Sequence, residues 1–223
     1  MAVLPMFPLG SVLLPGAVLP LHVFEPRYRQ LVADCLAADD HEFGVVLIER
    51  GFEVGGGDVR AEVGTVARML QVAELEDGRY AMVCVGTRRV RVNAWLPDDP
   101  YPLADVDDWP DDESTAPTGG GDLSVHLAAT AARVRRACAL ANELGLTSVD
   151  PSTDLSDDPL VASYQLVALA PVGPADDYRL LCARGPVARL DLLDDALDDV
   201  EALLRFQLHA SDGETDDLAD PPT

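Results

Sequence analysis

The sequence predicts an α+β protein, with a strand-rich first half that carries one inserted helix and a helical second half. Three observations support this. Short apolar runs rich in β-branched residues fill the first hundred positions, as in "FGVVLIE" at 43–49. Beyond about residue 122 the apolar positions recur at helical spacing. Between the two lies "PDDPYPLADVDDWPDDESTAPTGGGD" (97–122), with eight Asp, five Pro, three consecutive Gly and no basic residue. That is the composition of a flexible linker. The expected boundaries are 1–107 for the strand unit, 108–121 for the linker and 122–208 for the helices. An acidic, proline-ended tail over 209–223 is expected to be disordered.

The elements follow in order. "VLPMFPL" and "AVLPLHVF" are apolar runs punctuated by proline, which suits edge or first-residue strand positions. In "LPLHVFEPRYRQL" (19–31), Pro26 fits the first helical position, where a missing N–H costs nothing. Tyr28, Leu31, Val32, Cys35 and Leu36 then form one apolar helix face. Glu25 sits at the helix start, where the dipole favours negative charge. "GFEVGGGD" (51–58) reads as a mobile hairpin tip, since it lacks the strand-then-helix context of a dinucleotide loop. "VGTVARMLQVAEL" and "RYAMVCVGTRRVRV" flank Asp77-Gly78, the dipeptide preferred in a two-residue hairpin turn. A last short strand falls around 101–106. In the second half, Leu127, Ala131, Val134, Cys138 and Ala141 mark one helix that Gly145 stops. Asp158-Pro159, Gly173-Pro174 and Gly185-Pro186 open three more, the first with Asp158 as N-cap. In the last helix Leu190, Leu193, Leu197, Val200 and Leu204 face inward, and Asp191, Asp194, Asp195, Asp198 and Asp199 lie on the other side.

Composition excludes several function classes. At 223 residues and 48% hydrophobic, with a mean hydropathy of +0.08, the chain can bury a core. Its net charge of −23 argues against nucleic acid as a partner, because phosphate binding rests on basic side chains. The four cysteines, Cys35, Cys84, Cys138 and Cys182, form no C-x-x-C pair, and no secretory leader or membrane-length apolar run occurs. These features predict a cytoplasmic protein with reduced, buried thiols. All 16 basic residues are arginine. Without lysine there can be no Walker A loop, Ser-Lys dyad or Schiff base.

Candidate chemistry is sparse. His22 and Glu25 are the best-placed polar pair, but His22 lies in a strand-like apolar run where a structural role is the commoner one. The histidines at 22, 41, 126 and 209 make no metal-binding spacing, and no G-x-S-x-G nucleophile turn occurs. No catalytic residue, metal or cofactor is therefore expected. Arg88, Arg89 and Arg91 form the densest basic patch, read as a solvated strand face or as an electrostatic contact for an acidic segment. Trp95, Tyr101 and Trp109 are large aromatics among Pro and Asp, and are the candidate anchors for a bound polypeptide.

The order and spacing of "LPMFPL", "LPLHVFEPRYRQL", "FGVVL", "GTVARM", "GRYAMVCVGTRRVRV" and "YPLADV" resemble the Lon protease N-terminal, substrate-binding domain family over roughly residues 3–206. The resemblance implies a PUA-like β-barrel followed by a helical bundle. It also implies recognition of unfolded or tagged polypeptides, here as a non-enzymatic adaptor or holdase working with a protease or chaperone. An RNA-binding PUA-like module and an uncharacterised hydrolase are the competing readings. Charge and the missing lysine weigh against them respectively.

Overall fold

The structure, a computed structural model, describes residues 2–53, 57–112, 120–147 and 149–216. The chain divides into two units, Met1–Asp111 and Asp112–Thr223. Residues 108–111, read as linker, thus belong to the first unit, Asp108 as the end of its last strand, and 113–119 lie outside the described residues.

The first unit holds β1 (Ala2–Leu9), β2 (Val18–Val23), α1 (Pro26–Ala37), β3 (Glu42–Arg50), β4 (Val59–Glu74), β5 (Tyr80–Leu96) and β6 (Leu103–Asp108). Its six strands lie in the order β2-β5-β4-β3-β1-β6, and β6 pairs in turn with β5. Only β1 and β3 run parallel; the other pairings are antiparallel. Strand β5 is 17 residues long and serves three neighbours. Its first part, Tyr80–Val85, pairs with β2, and Val90–Leu96 pairs with β6.

Both faces of this sheet are apolar, which explains the continuous hydrophobic runs of the sequence. One face carries Leu4, Met6, Val46, Val66, Val90, Val92, Ala104 and Val106. The other carries Phe7, Phe43, Val45, Ala67, Met69, Met82 and Cys84, covered by Tyr28, Leu31, Val32 and Cys35 of α1. Even-numbered residues of β5 change face along the strand: Met82 and Cys84 belong to the second core, Val90 and Val92 to the first. The cause is a bulge. Between the pairs Thr65↔Arg89 and Ala67↔Gly86, β5 advances one residue more than β4. Close backbone approach fixes Gly64 nearby, since a Cβ there would collide with the Val45 carbonyl and with Val46. The β4–β5 turn differs from the expected two-residue loop. Glu74 pairs with Tyr80, Gly78 N donates to Leu75 O (2.8 Å), and Leu75 N donates to Arg79 O (2.8 Å). Gly78 has φ +73° and Asp77 does not share its positive φ, so the loop is Glu76-Asp77-Gly78 with a single left-handed residue.

The second unit holds α2 (Gly120–Glu143), α3 (Pro159–Leu169), α4 (Pro174–Leu181) and α5 (Pro186–Asp216). Proline opens α3, α4 and α5, and the Asp158 carboxylate caps α3 by accepting from Leu160 N (2.9 Å). Helix α5 continues through 209–216, where the sequence predicts a disordered tail; 217–223 lie outside the described residues. Leu190, Leu193, Leu197 and Leu204 of α5 are buried, as are Ala131, Val134, Ala137, Cys138 and Ala141 of α2. Two polar ties join the helices. Asp194, expected on the outer side, accepts from Thr130 (2.9 Å) and Arg133 (3.0 Å) of α2, and His126 Nε2 lies 3.0 Å from it. Arg189, fully buried, stacks 3.6 Å over the Tyr164 ring and donates to Ser163 Oγ (2.7 Å) and Leu180 O (3.3 Å).

Two predictions follow from this packing. Gly64→Ala should destabilise the first unit by on the order of 1–3 kcal/mol in chemical denaturation, because the obstacle is backbone and cannot rotate away. Burial, reinforced by Asp176, raises the Asp177 carboxyl to about 6. Its ionisation therefore opposes folding, an effect absent below the unfolded pKa and complete above pH 6. Asp177→Asn should melt higher than wild type at pH 8, with the two curves meeting near pH 4.

Candidate functional site

The corner where β2 turns into α1 builds an apolar cleft. Strand β2 ends at Val23, Phe24 and Glu25 stay extended, and Pro26 begins the helix. Glu25 caps α1 through its backbone: its carbonyl accepts from Arg29 N (2.9 Å), while its carboxylate makes no capping bond and accepts from Arg27 Nε (3.3 Å). Phe7 and Leu9 of β1, Leu21 and Val23 of β2 and Tyr28 of α1 form the walls of a cleft of about 100 Å3. Phe7 and Tyr28 stack with ring centroids 4.1 Å apart. His22, Glu25 and Glu53 form the polar rim. Glu53 is fastened there, accepting from Gly10 N (2.6 Å) through its carboxylate and from Arg27 Nη2 (3.3 Å) through its carbonyl.

The cleft lining contains no serine, cysteine or threonine, and both rim carboxylates already accept hydrogen bonds. Burial pushes the Tyr28 hydroxyl up to about 12, so it stays protonated near neutral pH. No metal-ligating cluster occurs among the described residues. A cavity of about 150 Å3 admits benzene, so a cleft of this size fits one aliphatic side chain. Phe24, part of the cleft lining, is 55% exposed, and Phe52, which precedes the rim residue Glu53 in sequence, is 82% exposed. Large exposed aromatics at an apolar cleft are what an interaction site requires. Phe52 falls in the glycine-rich segment read as a hairpin tip. The only signal for it was an aromatic in an otherwise small and polar loop.

The residues singled out from sequence are placed differently. Tyr101 is only 8% exposed and belongs to the α1-side core, where its hydroxyl donates to Asp34 (2.7 Å). It is a buried core residue and offers no open face. Trp95 packs against the other core with Arg60 4.8 Å over its ring, and Arg60 is held by Asp58 (2.7 Å) and Asp98 (2.8 Å). Trp109 carries Arg89 4.7 Å over its ring, and its N–H donates to Arg89 O (2.9 Å). The arginines are not one solvated face. Arg89 is 3% exposed and pairs with Asp111 (3.0 Å). Arg88 is shared between Glu42 (2.6 Å) and Asp108 (2.9 Å). Arg88 and Arg91 are both exposed, and Arg91 lies 3.8 Å from Glu62. Val90 and Val92 do face the core as the alternation requires, but Trp109 and Asp111 cover Arg89 on the opposite side.

Comparison with known proteins agrees with this architecture. Residues 3–199 match the family described as the ATP-dependent protease La (LON) substrate-binding domain. Lon protease 2 of Myxococcus xanthus is 38% identical over 108 residues, 47% of this chain and 13% of that protein. The Lon protease of Anaeromyxobacter dehalogenans is 36% identical over 109 residues, again 13% of its length. This chain thus spans a small part of the full relatives it matches. Among solved structures, a Lon N-terminal domain protein from Xanthomonas campestris is 31% identical, with a TM-score of 0.59 over 86% of this chain and 97% of that one. The N-terminal domain of a Mycobacterium avium complex Lon protease has the same fold, with a TM-score of 0.59 at 19% identity, covering 89% of this chain and 99% of that one. The chain belongs to the Lon substrate-binding domain family.

Proposed function

We propose that this chain is a non-enzymatic polypeptide-recognition module that holds exposed apolar side chains of unfolded or tagged proteins for a protease or chaperone. The observation that carries this reading is the apolar cleft at the β2–α1 corner, with exposed Phe24 in its lining and exposed Phe52 one residue before its rim residue Glu53. The family description, a substrate-binding domain, supports a polypeptide as the ligand. We read the first unit as a PUA-like β-barrel and the second as a helical bundle. The β6–β5 pairing that returns the strand order on itself supports the first assignment. A chain without lysine has no P-loop and no Ser-Lys dyad, which supports binding without turnover. A net charge of −23 keeps an apolar-binding surface soluble and disfavours RNA.

Fluorescence anisotropy with a labelled, carboxymethylated and permanently unfolded reporter tests the assignment. Binding should survive high salt, and Phe24→Ser with Phe52→Ser should weaken it by about tenfold or more while leaving the melting curve in place. Unchanged affinity in that double variant would remove the cleft from consideration. Trp109→Ala should do the reverse, lowering the thermal midpoint by uncovering Arg89 and leaving reporter affinity unchanged.

A further inference from the structure

Three arginines lie close together on α2, and they have unlike surroundings. Arg133 turns to α5 and meets Asp194 (3.0 Å), Asp198 (2.5 Å) and Glu201 (3.3 Å). Arg179 and Arg205, elsewhere in the unit, each hold a carboxylate as well. Arg135 and Arg136 are exposed, and no carboxylate among the described residues lies within ion-pair distance of either. In a chain with 39 acids and 16 arginines, two adjacent exposed guanidiniums with no ion pair among the described residues are a local concentration of positive charge.

They also border a shallow, open surface depression. Arg135, Arg136 and Ala139 of α2, with Pro151 and Ser152 of the α2–α3 loop, border an open groove of about 490 Å3. The nearby Asp150 is tied into its own loop, its Oδ1 accepting from Ser152 N (2.9 Å) and Ser152 Oγ (2.7 Å). Ser152 has therefore committed its hydroxyl proton, and the donors left to an incoming group are the guanidiniums. Ala139 and Pro151 supply an apolar floor between them.

We infer that this groove docks a short acidic segment of a partner polypeptide, its carboxylates on Arg135 and Arg136 and a small apolar side chain on Ala139 and Pro151. Charge complementarity selects the occupant. Guanidiniums pair with carboxylates in a bidentate geometry, and arginine is enriched at protein interfaces. A long polyanion is disfavoured, because two cations release few counterions against a strongly negative chain. A bare inorganic anion would leave the apolar floor unused. The groove belongs to the second unit and the cleft to the first.

The test uses the full chain and a fluorescein-labelled peptide of alternating Asp and Leu, read by anisotropy at low salt. Arg135→Ala with Arg136→Ala should weaken binding by at least about tenfold without moving the melting curve. Salt near roughly 0.5 M should weaken wild-type binding similarly. The unfolded reporter should bind the double variant as it binds wild type, which separates this result from that of the cleft. The inference is overturned if the wild-type chain does not bind the peptide or the double variant binds it equally. It is also overturned if an Asn-Leu peptide binds as well, or if inorganic phosphate at matched ionic strength displaces the peptide. Single-stranded RNA binding with the same arginine dependence would overturn it in favour of a nucleic-acid site.

Discussion

The first unit depends on one strand having three neighbours. Along its length β5 pairs with β4, but its other edge is given first to β2 and then to β6. A flat strand of fixed side-chain alternation cannot do this and still serve one core. The bulge opposite Thr65–Ala67 resolves the conflict by inserting one residue, so that the same parity of side chains points first to the α1-side core and then to the opposite one. Gly64, on β4, lets the strand lie close against the Val45 carbonyl of β3, where a Cβ would collide. The cleft at the β2–α1 corner exists because β2 is held only by the first part of β5, leaving Phe24 beyond its end.

Arginine is the sole strongly basic side chain in this sequence, and the structure uses it in ways lysine would not satisfy. Arg89 and Arg189 are buried, each stacked on an aromatic ring and hydrogen-bonded to its neighbours. A planar, weakly hydrated guanidinium accepts burial between a ring and several acceptors more readily than an ammonium. Glu42, itself buried, is flanked by Arg68 (2.7 Å) and Arg88 (2.6 Å), so the negative excess of the chain is partly neutralised at its interior. The remaining acidic surface provides solubility, against which any patch of unpaired cation stands out.

Much of the fold was legible because local chemistry and tertiary structure agree. Pro26, Pro159, Pro174 and Pro186 each mark a helix start, and Asp158 caps where its position before a proline predicts. The α1 stripe of Tyr28, Leu31, Val32 and Cys35 is buried as its spacing requires. What remained hidden depends on register. A bulge leaves no mark in composition, and without it the environment of Arg89 reads as solvent. Asp77-Gly78 favours a tight turn, but a three-residue loop uses the same glycine and leaves aspartate in an ordinary conformation. At the candidate site the corner itself was visible as a strand-to-helix junction. Phe24 and Phe52 were not, because exposure of an aromatic is decided by distant chain segments and not by its neighbours in sequence.

Strand β2 ends the strand order, with β5 on one side and no strand on the other. Gly86 N donates to Ala17 O (2.9 Å), and the antiparallel alternation then turns the polar backbone of Leu19, Leu21 and Val23 toward β5. Val18, Pro20 and His22 face outward, and Pro20 contributes no N–H to that side. An open strand edge runs the hazard of growing a sheet with other chains, each added strand exposing a new edge. Proline at the middle of the outward row interrupts that templating while leaving the apolar side chains accessible. The outer edge of β2 is thereby a poor template for a further strand.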